Sequence, residues 1–499
     1  MLLQRSIGVG LATLVALVAV ACSGGLAEQR PAIAPAPIGV DESALKASTP
    51  EATVTSAPAP PAPSTTIARE ASWGVRDGRL VGPAGFEIDL GRCPRGWSDT
   101  AGLSDKEIRL GLTYPRTGAF AALGQLGAGM KAYFDHVNAS EGGVAGRKLT
   151  LVAHDDYYDP AEARVNVDSL LGRGNVFALT GVVGTRVAMA TNDRVNEACA
   201  PNLFPASNHP AWGDPVFHPW TAAGPTLPLT TEAQLWVRYL ADAYGPTTTV
   251  AALVLNDELG FIYKAAFELE AARLGLRVSF VTHDPASPNI AGDVAALAAT
   301  NADVAVLMTT ASFCPQAFAA LAASSWRPKE RLVSATCQSI PANFAAVGAA
   351  GVGWAWTSSA KDVADPALST DPFLAEARAG LERAGLAGGA SELGAGWGLY
   401  GWTVVDTLKR AAALSGGLSR TNVMLAARSA RGAHPMIRDG VVYESDGRAD
   451  PYPVEGARFV RYSAPAGAGV GLHSPFGKVY DGNGATGACP WDGTACARS

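Results

Sequence analysis

The stretch 107–159 constrains the fold more than any other part of this 499-residue chain. Residues 108–113 form a short apolar run typical of a buried strand, and a Pro/Gly loop follows at 114–118. Apolar residues then recur at helical spacing, and 148–154 has the pattern of a second strand. The stretch therefore predicts a β-loop-α-β unit. Its first loop lacks the glycine pattern that holds a nucleotide phosphate, so we expect another kind of ligand there.

Strand and helix patterns keep alternating after this unit. One series continues to about residue 206, and a second occupies 229–335. Between them, 209–228 is a proline-rich loop that we interpret as a first crossing into a second domain, and 351–358 is read as an extended return crossing. Alternation of this kind predicts parallel, doubly wound sheets with helices on both faces. The fold class is therefore α/β, with two doubly wound, Rossmann-like lobes joined by crossing strands.

The last sixty residues carry a different pattern. Polar and apolar residues alternate over 440–462, and Asp446-Gly447 is a typical hairpin turn. We therefore predict a β-hairpin there. The Gly-rich tail that follows Ser463 is expected to be a loop.

Composition and motifs exclude several function classes. A formal net charge of −6 is unfavourable for a nucleic-acid partner, which normally requires a basic face. The sequence has no G-x-S-x-G, H-E-x-x-H or Walker motif, so no catalytic residues and no cofactor are predicted. His154, Asp155 and Asp156 could form an acid/base cluster, but polar loop residues at a strand end are the interpretation we adopt. We expect a protein that is not an enzyme.

The N-terminus has the features of a bacterial lipoprotein signal peptide. Arg5 precedes an apolar run at 7–20, and Cys22 follows Ala19-Val20-Ala21. We predict that residues 1–21 are removed and that Cys22 is lipidated, with an uncleaved anchor as the alternative. An Ala/Pro-rich tether (22–70) and a lead-in segment (71–105) come next. The protein is then expected on the outer face of the cytoplasmic membrane.

Six further cysteines in an exported chain favour disulfides. Cys314 and Cys337 are predicted at one sheet edge, and Cys489 and Cys496 would close a small loop. This leaves Cys93 with Cys199, although fifteen pairings of six cysteines are possible. Zinc is the alternative, but the sequence has no C-x-x-C and no histidines at ligand spacing, so no metal is predicted.

Several segments together resemble one known family. The most specific are IRLGLTYPRTGAFAALG and GGVAGRKLTLVAHDDYYDPAEA, supported by LTGVVGT, PNLFPASNHP and VLNDELGFIYKAAF. They resemble the substrate-binding proteins of ABC importers in the branched-chain amino-acid (Leu/Ile/Val-binding) group, which have the type I periplasmic-binding fold. The resemblance covers residues 107–463.

The resemblance implies two lobes with a ligand cleft between them, and a hinge motion that closes the cleft. An ABC permease would recognise the closed state. It assigns 106–222 and 351–439 to lobe 1, 223–350 and 440–463 to lobe 2, and 464–499 to a tail. The implied partners are a small-molecule ligand, the permease and the membrane through the lipid anchor, with no nucleic acid. We expect a monomer.

The resemblance also implies where the ligand binds. The candidate residues lie in loops that follow strands: Tyr114, Thr117, Gly118, Phe120, Gly184, Thr185, Ser207, Asn208, Asp257, Phe261 and Thr310. Gly184, Thr185, Ser207 and Asn208 would hold a carboxylate or amino-acid head group, helped by the partial positive charge of a helix N-terminus. Thr185 and Asp257 have a simpler alternative role as helix caps, and the loop 114–120 as a turn.

The second lobe departs from the family pattern. Family members that bind α-amino acids carry a carboxylate near Thr310, whereas this chain has TTASFCPQ there. Because a buried ammonium group without a partner is costly, either Asp257 replaces the missing acid or the ligand has no amine. The predicted ligand is an amino acid, an amide or a related small organic acid. A ligand-sensing or scaffold lipoprotein of the same fold is the alternative function.

Overall fold

The computed structural model describes residues 72–118, 120–465 and 471–482. The predicted signal peptide, Cys22 and the rest of the tether, and the cysteines 489 and 496 lie outside the described residues. Within the described part of the chain, no helix combines the length and the apolar character needed to span a bilayer.

A small antiparallel sheet and the first half of lobe 1 come first along the chain. The small sheet contains β1 (Gly74–Arg76), β2 (Arg79–Val81) and β3 (Glu87–Asp89). Lobe 1 follows with β4 (Glu107–Tyr114), α1 (Ala121–Ser140), β5 (Lys148–Asp155), α2 (Pro160–Leu171), β6 (Ala178–Thr180), α3 (Thr185–Glu197), β7 (Asn202–Leu203) and β8 (Thr221–Ala222). The five strands β4–β8 are parallel, in the order β5-β4-β6-β7-β8.

Lobe 2 repeats the same alternation. Its elements are α4 (Leu229–Tyr244), β9 (Thr249–Leu255), α5 (Glu258–Leu274), β10 (Arg277–His283), α6 (Ala291–Ala299), β11 (Val304–Met308), α7 (Phe313–Ala323), β12 (Glu330–Val333) and β13 (Ala355–Ser358). β9 to β13 pair in parallel. Apolar residues fill both faces of this sheet, with α4 and α5 covering one face and α6 and α7 the other. The predicted doubly wound architecture is therefore confirmed.

The described chain returns to lobe 1, and its last two strands belong to the lobe 2 sheet. The remaining elements are α8 (Pro372–Arg383), α9 (Ser391–Gly394), a π-helical segment (Ala395–Trp402), α10 (Thr403–Ala413), α11 (Arg420–Ala427), β14 (Gly456–Ser463) and β15 (Leu472–Asp481). β14 and β15 extend the lobe 2 sheet in antiparallel fashion, giving the order β10-β9-β11-β12-β13-β14-β15.

The predicted hairpin at 440–462 is confirmed only at its turn, where residues 446–450 reverse the chain and Asp446 and Asp450 form an isolated antiparallel bridge. Residues 440–455 contain no regular strand, and Tyr443 and Val454 are buried in the lobe 1 core. The regular hairpin pairs β14 with β15, and β15 lies in the tail where we expected only loop. β15 is an edge strand with exposed and half-buried residues, and such a strand lacks the apolar signal of a central one.

The lobe boundaries also differ from the expected ones. β13 pairs with β12 and β14 in the lobe 2 sheet, although the return crossing was assigned to lobe 1 from residue 351. Residues 440–455, which we assigned to lobe 2, contribute to the lobe 1 core instead. The crossings are thus shifted along the chain, because a short extended segment can pair with either sheet.

Two disulfides join distant parts of the chain. Cys93 pairs with Cys199 at an S–S distance of 2.07 Å, and Cys314 pairs with Cys337 at 2.04 Å. Both pairs match the inferred ones. The first attaches the lead-in segment to lobe 1, and Trp97 reinforces this attachment by donating a hydrogen bond to the Cys199 carbonyl at 2.7 Å.

Candidate functional site

The candidate site lies where the carboxyl ends of the strands in both lobes approach each other. We call it the interlobe cleft and define it by 114–120, 155–158, 184–187 and 206–209 of lobe 1, together with 256–261 and 309–313 of lobe 2. His209 Nε2 and Glu258 Oε1 meet across it at 3.2 Å. The sequence-predicted residues are therefore distributed over two facing walls.

Asp155, at the end of β5, organises the loop that follows β4. Its carboxylate accepts hydrogen bonds from the Thr117 hydroxyl (2.6 Å) and from the amides of Arg116 (2.9 Å) and Tyr157 (3.1 Å). Slight desolvation raises the pKa of Asp155, but these hydrogen bonds outweigh it and lower the pKa overall. Thr117, predicted as a polar ligand contact, uses its hydroxyl proton to fix this loop.

Tyr158 is the central aromatic residue of the lobe 1 wall. Its ring stacks on Phe120 with 4.3 Å between centroids and also lies beside Gly184. Burial raises the pKa of the Tyr158 hydroxyl. Arg186 opposes this rise, whereas the carboxylate of Asp257, which belongs to lobe 2, is close enough to add to it.

Gly184 occupies a position that no other residue fits. Its φ is +93°, and a Cβ there would lie 2.2 Å from the Tyr158 ring. Its amide donates to the Ala206 carbonyl at 3.1 Å, so this amide is not available to a ligand. Gly184 thus contributes space and backbone direction, and the predicted backbone contact must come from the residues that follow it.

The first turn of α3 faces the cleft without a capping side chain. The Thr185 and Ser207 hydroxyls lie 2.7 Å apart beside this turn, as expected for a common head-group site. A helix N-terminus without a cap leaves amide donors unsatisfied and carries partial positive charge. The arrangement is therefore suited to a small anion such as a carboxylate.

Asn208 and His209 lie where lobe 1 continues into lobe 2. The Asn208 carbonyl accepts from the Leu229 amide, the first residue of α4, at 2.9 Å. His209 Nδ1 accepts from the Ala211 amide at 3.0 Å, so the neutral imidazole carries its proton on Nε2 and donates it to Glu258. Hydrogen bonding to His209 lowers the pKa of Glu258.

The lobe 2 wall presents the N-terminus of α5. Asp257 caps this helix, with Oδ1 accepting from the Gly260 amide at 3.0 Å. Phe261, one turn in, is 53% exposed. Among the described residues no ring contact joins Phe261 to the aromatic pair of lobe 1. The lobe 2 wall therefore carries a carboxylate and an exposed ring where the lobe 1 wall carries hydroxyls and an uncapped helix.

Thr310 follows β11 and is partly buried. Its carbonyl accepts from the Phe313 amide at the start of α7. The neighbouring Thr309 is buried against the Cys314–Cys337 disulfide. This loop is consequently fixed by covalent and hydrogen-bonded contacts.

A buried carboxyl group, Glu232 of α4, lies behind the lobe 2 wall. It accepts hydrogen bonds from the hydroxyls of Tyr263 and Thr357 and from the amide of Ala335. Complete burial raises its pKa to about 7, although these hydrogen bonds act in the opposite direction. Glu232 connects α4, α5, β13 and the loop after β12.

Sequence reasoning missed Tyr158 and Glu232, and it named Asp155 only as a polar loop residue at a strand end. Tyr158 and Asp155 belong to the HDDYYDP stretch, which carries the family resemblance, so that motif was an available signal. Glu232 has no local signal, because its partners are between 31 and 125 residues away along the chain. In the described residues, no group of three or more His, Cys, Asp or Glu side chains is placed to hold a metal ion.

Comparison with known proteins identifies relatives of this architecture. A sequence profile of a family described as periplasmic binding protein matches residues 107–464. A search of curated proteins found no match.

Three solved structures illustrate the likeness. A fatty acid ABC transporter substrate-binding protein from Thermomonospora curvata is 22% identical, with a TM-score of 0.59 over 78% of this chain and 96% of that one. A branched-chain amino acid ABC transporter protein from Thermus thermophilus with bound valine is 17% identical, with a TM-score of 0.64 over 76% and 97%. A solute-binding protein from Rhodopseudomonas palustris BisB5 in complex with 3,4-dihydroxybenzoic acid is 17% identical, with a TM-score of 0.61 over 76% and 98%. At these identities the likeness establishes the fold alone.

Proposed function

The chain belongs to the periplasmic binding protein family, and on that premise we propose that it is an extracytoplasmic solute-binding lipoprotein. It captures a small organic acid in the interlobe cleft and delivers it to an ABC import permease. The lipid on Cys22 holds it at the outer face of the cytoplasmic membrane, and one copy binds one ligand.

The uncapped first turn of α3 is the observation that carries this proposal. In a folded protein the free amides of a helix N-terminus are usually satisfied by a capping side chain, by water or by a ligand. Here the capping position is Gly184, and Thr185 and Ser207 place two hydroxyls beside the open turn. A carboxylate is the small ligand group that best matches these donors and this partial charge.

The aromatic and acidic groups around this turn indicate the rest of the ligand. Phe120 and Tyr158 form an aromatic surface on lobe 1, and Phe261 offers an exposed ring on lobe 2. An apolar or aromatic body attached to the carboxylate suits these rings. Asp257 is the acid available to an ammonium group, since Glu258 is engaged by His209. Fatty acid and dihydroxybenzoate, named for two of the solved relatives, are acids without an amine, whereas valine carries one.

A thermal-shift screen of the protein without residues 1–21 tests the proposal. The library pairs each carboxylic acid with its amide and with the corresponding α-amino acid. Because a ligand that binds only the folded state raises stability, a true ligand at 100 times its Kd adds about 2.7 kcal/mol. We expect acids to shift the melting temperature and their neutral amides to shift it less. If no compound in the library shifts the melting temperature at millimolar concentration, the result would contradict a solute-binding role.

Membrane attachment has its own test. The full-length protein should be found in the membrane fraction, and Cys22→Ala should release it into the soluble fraction after processing. Retention of the Cys22→Ala variant in the membrane would contradict the lipid anchor without affecting the binding proposal.

A further inference from the structure

The turn between β5 and α2 holds two consecutive tyrosines in a conformation that tyrosine rarely adopts. The φ angle is 55° at Tyr157 and 64° at Tyr158, which places both residues in the left-handed region. This region is sterically unfavourable for a bulky L-residue, whereas glycine or asparagine enters it with less strain. The path of the turn therefore does not explain why tyrosine occupies these two positions.

Two aspartate side chains hold this turn. Asp155 Oδ1 accepts a hydrogen bond from the Tyr157 amide at 3.1 Å. Asp156 Oδ1 accepts from the Tyr158 amide at 2.9 Å. Asp156 is fully buried, and its Oδ2 accepts from the Thr113 hydroxyl of β4 at 2.8 Å. The turn is thereby fixed to the ends of β4 and β5, and both tyrosines keep their positive φ.

The two tyrosine rings have different surroundings. The Tyr158 ring stacks on Phe120 and lies beside Gly184, so the lobe 1 wall accounts for its position. The Tyr157 ring is 58% exposed. Within the described residues this ring has no aromatic contact, and its hydroxyl forms no hydrogen bond. A strained backbone therefore presents an exposed ring at the interlobe cleft, and packing within the described chain does not account for it.

Phe261 is the exposed ring on the opposite wall, at 53%. It follows Glu258 by three residues on α5, and residues at this spacing lie on the same face of a helix. Glu258 contacts His209 of lobe 1 at 3.2 Å. Phe261 therefore belongs to the face of α5 that is directed toward lobe 1.

An electrostatic interaction across the cleft links the lobe 1 turn to the start of α5. The pKa of the Tyr158 hydroxyl is raised chiefly by burial, and the Asp257 carboxylate adds to the rise. Asp257 directly precedes Glu258 in the chain. Tyr157 and Phe261 consequently lie on opposite walls near one interlobe contact, and both rings are exposed there.

We propose that Tyr157 is a further specificity-determining residue of the ligand site, and that Tyr157 and Phe261 hold the ring of an aryl carboxylic acid between them. This assignment rests on the proposed function, in which Thr185 and Ser207 hold the carboxylate. Two aromatic side chains favour an aromatic ring over a saturated one, because aromatic pairs gain attraction beyond the area that they bury. The strained turn is retained because it directs Tyr157 into the cleft.

Isothermal titration calorimetry of the full-length protein with three matched pairs of acids tests this assignment. The pairs are benzoate with cyclohexanecarboxylate, phenylacetate with cyclohexylacetate, and 3-phenylpropionate with 3-cyclohexylpropionate. The members of a pair share the carboxylate and the linker, so their difference in affinity measures the preference for an aromatic ring. In the pair that binds best, we expect the aryl acid to bind about tenfold more tightly than the saturated acid.

Tyr157→Asn separates a ligand-binding role from a structural one. Asparagine adopts a positive φ more readily than tyrosine, so the melting temperature without ligand should stay the same or rise by about 2 °C. The tenfold preference for the aryl acid should be lost, leaving about equal affinities within the pair. A residue that serves only packing would lower the melting temperature when replaced and leave the preference unchanged.

Two further variants serve as controls. Tyr157→Phe keeps the ring and should retain the preference, and Val165→Ala removes an exposed apolar side chain of α2 outside the cleft and should not affect it. Equal affinities within every pair for the wild type, or an unchanged preference in Tyr157→Asn, would overturn the proposal while the solute-binding role stands. Binding of none of the six acids would also overturn it, whereas the proposed function fails only if the thermal-shift library gives no ligand.

Discussion

The two walls of the interlobe cleft each present a helix N-terminus, and the two termini are built differently. On lobe 1, α3 begins after Gly184 and has no capping side chain. On lobe 2, α5 begins after Asp257, whose carboxylate caps the helix and supplies a negative charge. The two helices, which have similar positions in the fold, therefore present opposite charges at their N-termini. The partial positive charge of the uncapped α3 attracts an anion, and the Asp257 carboxylate at α5 repels one.

The difference has a structural cause in the residue before each helix. A capping aspartate satisfies the amides of the first turn, so the turn no longer needs a ligand. Glycine has no side chain that could accept a hydrogen bond from these amides, and its missing Cβ lets Tyr158 lie directly against the turn. Under the proposed function, the lobe 1 wall therefore holds the carboxylate of the ligand.

Gly184→Val should have the largest effect, because it fills the space of the Tyr158 ring and imposes a positive φ on a branched residue. We expect the free energy of unfolding to fall by about 2 kcal/mol or more, and ligand affinity to fall by at least about 100-fold. Denaturant unfolding measures the free energy of unfolding, and calorimetric titration measures the ligand affinity. Gly292→Ala, at a site with open space around the new Cβ, should change neither. Normal binding by the valine variant would show that Tyr158 does not lie where we describe it.

Glu232→Gln tests the support behind the lobe 2 wall. The pKa of Glu232 is raised to about 7 in the folded protein, from 4.5 as its ordinary value. Its protonated form therefore contributes stability below pH 4.5, and this contribution is lost as the pH rises through 7. As the pH rises from 4.5 to 8, the free energy of unfolding of the glutamine variant should increase relative to that of the wild type by an amount on the order of 3 kcal/mol. Parallel pH profiles of the two proteins in urea unfolding would contradict the buried position of Glu232.

Thr185→Ala and Ser207→Ala test the head-group site on the lobe 1 wall. Each removes one hydroxyl beside the open turn, so we expect about tenfold weaker binding of a carboxylate ligand, near 1.4 kcal/mol. The melting temperature without ligand should hardly change. Asp257→Asn is the matched variant on the opposite wall, since asparagine also caps a helix. It should weaken the binding only of ligands that carry an ammonium group. An equal loss of affinity for an acid without an amine would contradict the roles proposed for the two walls.

Glu258→Gln should have the smallest effect. Hydrogen bonding to His209 lowers the pKa of Glu258, so the pair contributes stability above pH 4.5 and loses it as the pH falls below that value. Glu258 is about half exposed, and solvent screening limits the contribution to less than about 1 kcal/mol. We expect a slightly faster ligand dissociation in stopped-flow measurements, because one contact across the cleft is weakened. A change above tenfold would mean that this pair controls closure.

The sequence was informative wherever a signal is local. Asp159 and Pro160 are a local signal for the start of α2, and the structure shows Asp159 accepting from the Ala161 and Glu162 amides. β11, and β9 after Thr249, are buried and apolar, which is the local pattern of a central strand. Thr185 and Ser207 were named together only through the family resemblance, and the structure places their hydroxyls 2.7 Å apart.

Other features depend on contacts between distant residues and leave no local pattern. Tyr158 acquires its position from Gly184 and Phe120, and its backbone has a positive φ of 64°, which is uncommon for tyrosine. β15 is an edge strand that contains Pro475 and Gly477, so neither periodicity nor propensity indicated it. The shifted lobe boundaries have the same origin, since strand partners are chosen by the tertiary structure.

A structure of the protein with a ligand from the thermal-shift screen is the decisive test of the head-group site. We expect a carboxylate within about 3 Å of the first-turn amides of α3, between the hydroxyls of Thr185 and Ser207, with the apolar part of the ligand against Tyr158. A ligand whose anionic group lies at the α5 terminus, or that binds outside the interlobe cleft, would contradict it.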